Sequence, residues 1–173
     1  MKKHATTEAA EETKLKIADE VWIITALLHR DYPEQSDFST EEIMERARRE
    51  SLAGEIRPGV QVHVVQHCVA NRPPNPGRYR MLFETGAGRR RLFRKGDPYD
   101  PRREGSKITP AAEDMPRGSA FRGLLGWYEQ WSAEALEAAP EKDPLLRLAG
   151  SGREIWADEH ADAYVNRLRE EAE

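Results

Sequence analysis

Five cations crowd into seven residues of this chain: Arg89, Arg90, Arg91, Arg94 and Lys95. Arg72, Arg78 and Arg80 lie just before them, so residues 51–110 hold 12 Lys and Arg against 5 Asp and Glu. Guanidinium and ammonium groups at that density suit a phosphate backbone, because each neutralised phosphate releases condensed counterions. A contact with about four phosphates would give a salt slope near −3.6 on duplex DNA. The flanks have the opposite balance: residues 1–50 carry 8 cations and 12 carboxylates, residues 111–173 carry 7 and 14, and the chain as a whole stands at −4. Such segregation predicts a polyanion-binding module joined to a segment with a different partner. The competing reading of the basic run is a strand defended by charge against edge-to-edge pairing. The absence of an acid within RRRLFRK favours phosphate.

Other chemistries find less material. His63 and His67 stand four residues apart with Cys68 adjacent, but HVVQHC lacks the glutamate of HExxH. On a helix Cys68 points about 100° from His67, so no metal site is expected there. Cys68 falls on an apolar face, where a thiol is a small buried hydrophobe rather than a nucleophile. Asp158, Glu159, His160 and Asp162 read as the acidic first turn of a helix. No nucleophile elbow, phosphate loop or dinucleotide fingerprint is present, so the chain is expected to be no enzyme and to need no cofactor.

The totals frame these residues. A chain of 173 residues holds one ordinary domain, or a small domain with an appended module. The longest apolar run, VWIITALL at residues 21–28, is too short to cross a bilayer. KKHATTEAAEETK has no apolar core, so a secretory leader is not expected and residues 1–13 read as a solvated tail. The single cysteine excludes an internal disulfide. A cytoplasmic location follows by default.

Four elements must position the cations. Leu15, Ala18, Val21, Trp22, Thr25 and Leu28 recur at three- and four-residue steps, which predicts an amphipathic helix ending near Tyr32, before Pro33. Ser39 followed by Glu42, with Phe38 and Ile43 flanking, is a capping box with a hydrophobic staple, and predicts a second helix from Thr40 to about Ser51. A third helix is expected from Pro58 to about Asn71. A strand is the alternative there, because Val60, Val62 and Val64 alternate. On a helical wheel Val62, Val65, Cys68 and Val69 share one face and His63, His67 and Asn71 the other, which favours the helix. Beyond the PPNPG break, Tyr79, Met81 and Phe83 alternate with Arg78, Arg80 and Glu84; Gly86 and Gly88 supply a turn, and Arg89 to Arg94 return around Leu92 and Phe93.

Three helices followed by a basic hairpin resemble a winged helix-turn-helix domain over residues 14–97. The expected fold class is therefore mainly α with a small antiparallel β-hairpin, followed by a C-terminal helical extension. In that family the third helix enters the major groove and the hairpin, or wing, runs along the backbone. The resemblance implies a base-reading set of Gln61, His63, Gln66, His67 and Asn71. It also implies a phosphate-binding set of Arg72, Arg78, Arg80, Arg89, Arg90, Arg91, Arg94 and Lys95. The alternative is a winged helix that engages protein, with its cations facing an acidic partner. Residues 98–118, with four prolines, read as a linker or extended arm. In the acidic extension, residues 119–173, Phe121, Leu124, Leu125, Tyr128, Trp131 and Leu136 keep helical spacing until Pro140, where the helix is expected to stop.

Residues 150–171, GSGREIWADEHADAYVNRLREE, resemble the toxin-binding tail of VapB-type antitoxins. The matching positions are Gly150, Gly152, Arg153, Ile155, Trp156, Asp158, Asp162, Tyr164, Val165, Leu168 and Arg169. In that family the tail wraps a PIN-domain ribonuclease. The resemblance implies that Ile155, Trp156, Tyr164, Val165 and Leu168 act as apolar anchors, with Arg153, Arg167 or Arg169 approaching the toxin's acidic metal site. Together the two resemblances point to a DNA-binding transcriptional regulator or antitoxin of a toxin–antitoxin system, with duplex DNA and a PIN-type toxin as partners. A homodimer is allowed by these elements but not required.

Overall fold

The computed structural model describes residues 15–118 and 120–142; the chain divides into two compact units, Met1–Ser132 and Ala133–Glu173. The first unit is built around helix α1, Ile17–Asp31, in which every residue from Ala18 to His29 is buried. This exceeds the amphipathic stripe read from the sequence. Burial on all sides includes two carboxylates, each of which needs a cation to offset its lost hydration. Lys107 Nζ lies 2.8 Å from Asp19, and Arg57 Nε donates to Glu20 at 3.0 Å.

A short strand β1, Phe38–Ser39, follows, and then helix α2, Thr40–Glu50. The capping box is present in full: Ser39 Oγ accepts from Glu42 N at 3.1 Å while Glu42 accepts from Ser39 N at 2.7 Å. Helix α3, Gly59–Val62, passes without a break into a π-helical turn, His63–His67. It thus ends four residues before the expected Asn71. The cause is a competing sheet-like contact. Cys68 O accepts from the amides of Met81 and Leu82, Ala70 N donates to Leu82 O at 2.7 Å, and Val69 forms a parallel bridge with Leu82. The alternating Val60, Val62 and Val64 lie within the helical part, and the sheet-like contact falls on Cys68 to Ala70 beyond it.

Strands β2, Leu82–Gly86, and β3, Arg89–Leu92, form the expected hairpin, turned at Gly88, whose φ of 70° suits glycine. The sequence gives no sign of β1, since two residues cannot show a period. Phe38 nevertheless pairs with Arg90 and Ser39 with Arg89, so the sheet has three antiparallel strands in the order β1-β3-β2. The arginine-rich strand is thus the central one, which removes the edge-defence reading of its charges.

Residues 98–118 pack onto the unit as an arm. Asp100 N donates to Ala70 O, Arg80 N donates to Lys107 O, Arg103 and Pro110 are buried, and Asp114 takes both Lys16 and Lys107. Helix α4, Leu124–Lys142, then brings Leu124 and Tyr128 into the core, with Tyr128 bonding Phe93 O at 2.6 Å and Trp22 edge-on at 5.5 Å. It continues past Pro140, the expected stop; a proline there removes one backbone hydrogen bond near the end of a 19-residue helix. Among the described residues no helix is long and apolar enough to cross a membrane.

Candidate functional site

The sequence singles out the basic hairpin, and its geometry assigns most of those cations to the fold itself. Glu84 on β2 lies opposite Arg90 on β3, and Arg90 Nη1 donates to it at 3.0 Å. Arg72 grips the same carboxylate through two bonds, 2.6 and 2.7 Å. That grip, the largest influence on Glu84, holds its carboxyl below the usual carboxylate range. Arg90 is only 1% exposed, so its guanidinium depends on Glu84 for compensation. Arg91 forks onto Asp97 at 2.6 and 2.7 Å, and its other side stacks over Phe83, the residue opposite it in the register, at 4.4 Å.

The remaining cations follow suit. Arg89 donates to Asp37 at 2.6 Å, and Lys95 to Glu129 at 2.6 Å; both cations are exposed, so solvent screens these pairs. Arg80 lies over the Tyr99 ring at 4.3 Å, and Arg94 over Trp131 at 4.3 Å. Burial lowers the pKa of Arg94, and its buried Nε has no partner among the described residues. Only Arg78, of the eight expected phosphate ligands, is exposed without an ion pair or ring contact among the described residues. A phosphate would have to compete with these contacts. Glu84 and Asp97 flank the basic run, whereas Asp37 and Glu129 come from 52 and 34 residues away along the chain.

The expected base-reading set is equally divided. Asn71 lies beyond the helix; its side-chain amide donates to Glu84 O and accepts from Glu84 N, both at 2.9 Å, extending the ladder beside β2. Gln66 Nε2 donates to Pro73 O at 2.7 Å. His63 Nδ1 sits 2.8 Å from Gly59 O, and its ring meets that of His67 edge-on at 4.8 Å. Gly77 closes over His67 so tightly that a Cβ there would stand 2.7 Å from the histidine Cβ. Cys68 is fully buried, and desolvation pushes its thiol well above the ordinary range. Gln61 alone of the set is exposed and outside any side-chain hydrogen bond among the described residues.

What α3 presents outward is therefore uncharged and partly apolar. Val62 is 46% exposed, and beside it a shallow cleft of about 160 Å³ runs between α2 and α3, lined by Thr40, Met44, Gln61, Val64 and Val65 with Glu41 and Arg48 at its rim. This surface carries no cation from α3 itself. A groove of a polyanion would meet Val62 and Glu41 where it needs donors.

Comparison of the chain with protein-family models, with curated proteins and with solved structures finds no match. Arg153, Ile155, Trp156, Tyr164, Val165, Leu168 and Arg169, the expected partner-binding positions, lie outside the described residues. The residues that sequence reading missed are Asp37, Glu84, Asp97 and Arg103. Glu84 and Asp97 had a readable signal, because pairing across a turn at residues 86–88 puts Glu84 opposite Arg90. Asp37 reaches Arg89 across 52 residues and Arg103 reaches its carbonyl partners across 24 to 37, so neither left a local trace.

Proposed function

We propose that residues 14–97 form a winged-helix module that binds protein rather than duplex DNA. The order helix, strand, two helices and hairpin, with β1 beside β3, supports the winged-helix reading. The observation that carries the choice of partner is the commitment of Arg72, Arg89, Arg90, Arg91 and Lys95 to carboxylates of the same chain. Moving Arg91 onto a phosphate would leave Asp97 without its cation, and Arg90, 1% exposed, would have to leave the interior, costs that a salt-screened backbone contact does not offset. The uncharged face around Val62, Val65 and Met44 is the corresponding contact surface, with an apolar centre and a charged rim. A retardation assay with mixed-sequence duplex tests the choice. No shift is expected at near-physiological salt, and a shifted complex would return the ribbon to a phosphate role.

The C-terminal segment supports a second contact within the same reading, resting on its resemblance to antitoxin tails. Trp156 and Tyr164 on a short charged segment make aromatic anchors for a PIN-type ribonuclease, and burying them would offset the entropy of ordering the tail. Co-purification with such a ribonuclease should be lost on Trp156→Ala with no change in melting temperature. A lowered melting temperature of the isolated protein would instead mean that the tail packs on its own domain.

A further inference from the structure

A second cleft lies on a neighbouring face of α2 and shares Glu41 with the first. It measures about 500 Å³ and sits between the end of α1, β1 and the outer face of α2. Its floor is apolar: Leu28 and Phe38 are buried, and the Tyr32 ring stands 6.5 Å from that of Phe38 while remaining 48% exposed. Tyr32 and Val62 are the two large hydrophobics that stand exposed among the described residues, and Tyr32 lines this cleft. A half-exposed aromatic ring on a cleft wall offers a docked side chain apolar surface to cover.

The rim fixes the sign of that partner. Residues 31–50 carry seven carboxylates and three cations. Of the cations, Arg46 is held by Asp31 at 2.8 Å and Glu50 at 2.7 Å, and Arg48 leans on Glu45 at 3.3 Å. Glu42 is consumed by the capping box, so among the exposed charges lining the cleft Glu41 and Glu45 stand against Arg49, with Glu45 also reached by Arg48. The wall is pre-formed, since the capping box fixes where α2 starts and Phe38 is locked into the sheet. A ligand therefore meets little ordering cost on this side.

We infer that this cleft is a second protein-docking site, and that its occupant is an apolar side chain carried on a cationic, amphipathic segment of a partner protein. The chain's own C-terminal segment is a poor occupant: residues 143–173 hold four cations and eight carboxylates, the same sign as the rim. A second copy docking through the same cleft would likewise bring acid against acid. The inference shares with the proposed function only the class of partner, and the two fail separately.

The test titrates the full chain, at near-physiological ionic strength, into labelled amphipathic Leu/Lys and Leu/Glu peptides of equal length. The Leu/Lys peptide should bind at least about tenfold more tightly than the Leu/Glu peptide. Its affinity should fall about tenfold in the double variant Glu41→Lys, Glu45→Lys and again in Tyr32→Ala. All three side chains are exposed, so an unchanged melting temperature is expected for both variants. Backbone amide shifts on peptide addition should cluster within residues 28–49 and spare 61–66. Equal affinity for the two peptides, indifference to the variants, or shifts centred on residues 61–66 would each overturn the inference. Self-association abolished by Tyr32→Ala would overturn it too, in favour of a second copy. Duplex DNA binding would remove the proposed function and leave this result intact.

Discussion

An Arg103→Ala protein should unfold about 3–5 kcal/mol more easily than the wild type, with a melting point lower by roughly 10 °C. Arg103 is fully buried and meets no carboxylate among the described residues; its guanidinium is satisfied by backbone carbonyls alone. Nε donates to Arg72 O at 2.7 Å, Nη1 to His67 O at 2.9 Å and Tyr79 O at 2.7 Å, and Nη2 to Gln66 O at 3.0 Å and Pro73 O at 3.4 Å. Gln66 and His67 close the π-helical turn, so the cation also sits at the negative end of that helix. Truncation would strand these carbonyls in a site that water does not reach, and each stranded group costs about 1–3 kcal/mol before relaxation. The arm of residues 98–118 would lose its main tie at the same time. Arg103→Lys makes the comparison sharp, because an ammonium keeps the charge but has three donors and no planar fork. Denaturant unfolding should place the lysine variant between alanine and wild type. A loss below about 1 kcal/mol for alanine would show that the arm is held by other contacts.

The second large effect is acid destabilisation through His29. Its ring is buried between Phe38, edge-on at 4.9 Å, and Trp131 at 4.8 Å, and its Nε2 accepts from Leu92 N at 3.3 Å. Burial, with Arg94 and Arg91 nearby, pulls its pKa down from 6.5 to about 3. The folded protein thus keeps the ring neutral where the unfolded chain takes up a proton. Stability from this group is whole above pH 6.5 and drains away as the pH falls toward 3. Between pH 6.5 and about 4.5 the loss should reach roughly 2–3 kcal/mol. His63, also lowered by burial, adds in the same direction. The carboxylates held low by arginines, such as Glu84, surrender their share only at more acid pH. His29→Gln, whose amide oxygen can accept from Leu92 N, should flatten the stability profile in this window, read by urea unfolding at a series of pH values. An unchanged slope would mean that His29 titrates normally in the fold.

Local chemistry made several elements legible. The Ser39 and Glu42 pair fixed the start of α2 because a capping box is satisfied within four residues, and Gly88 marked the hairpin because its turn needs a left-handed backbone there. What the sequence concealed depends on partners far along the chain. β1 exists because β3 offers it an edge, the helix at residue 59 stops early because Leu82 captures Cys68 and Ala70, and α1 is buried on every side because Lys107 and Arg57 arrive to neutralise Asp19 and Glu20. The ion pairs of the basic run were hidden for a related reason. A net charge counts cations in a window, whereas the sheet register decides which acids stand opposite them.

The affinity of the full chain for mixed-sequence duplex DNA, measured from about 50 to 200 mM salt, decides whether the arginines of the ribbon hold the fold or a polyanion. Arg78 is the one exposed cation of the expected phosphate set without an ion pair or ring contact among the described residues, so binding should be too weak to saturate and the salt slope no steeper than about −1. Saturable binding with a slope near −3.6, lost when Arg89 and Lys95 are changed to alanine, would contradict it.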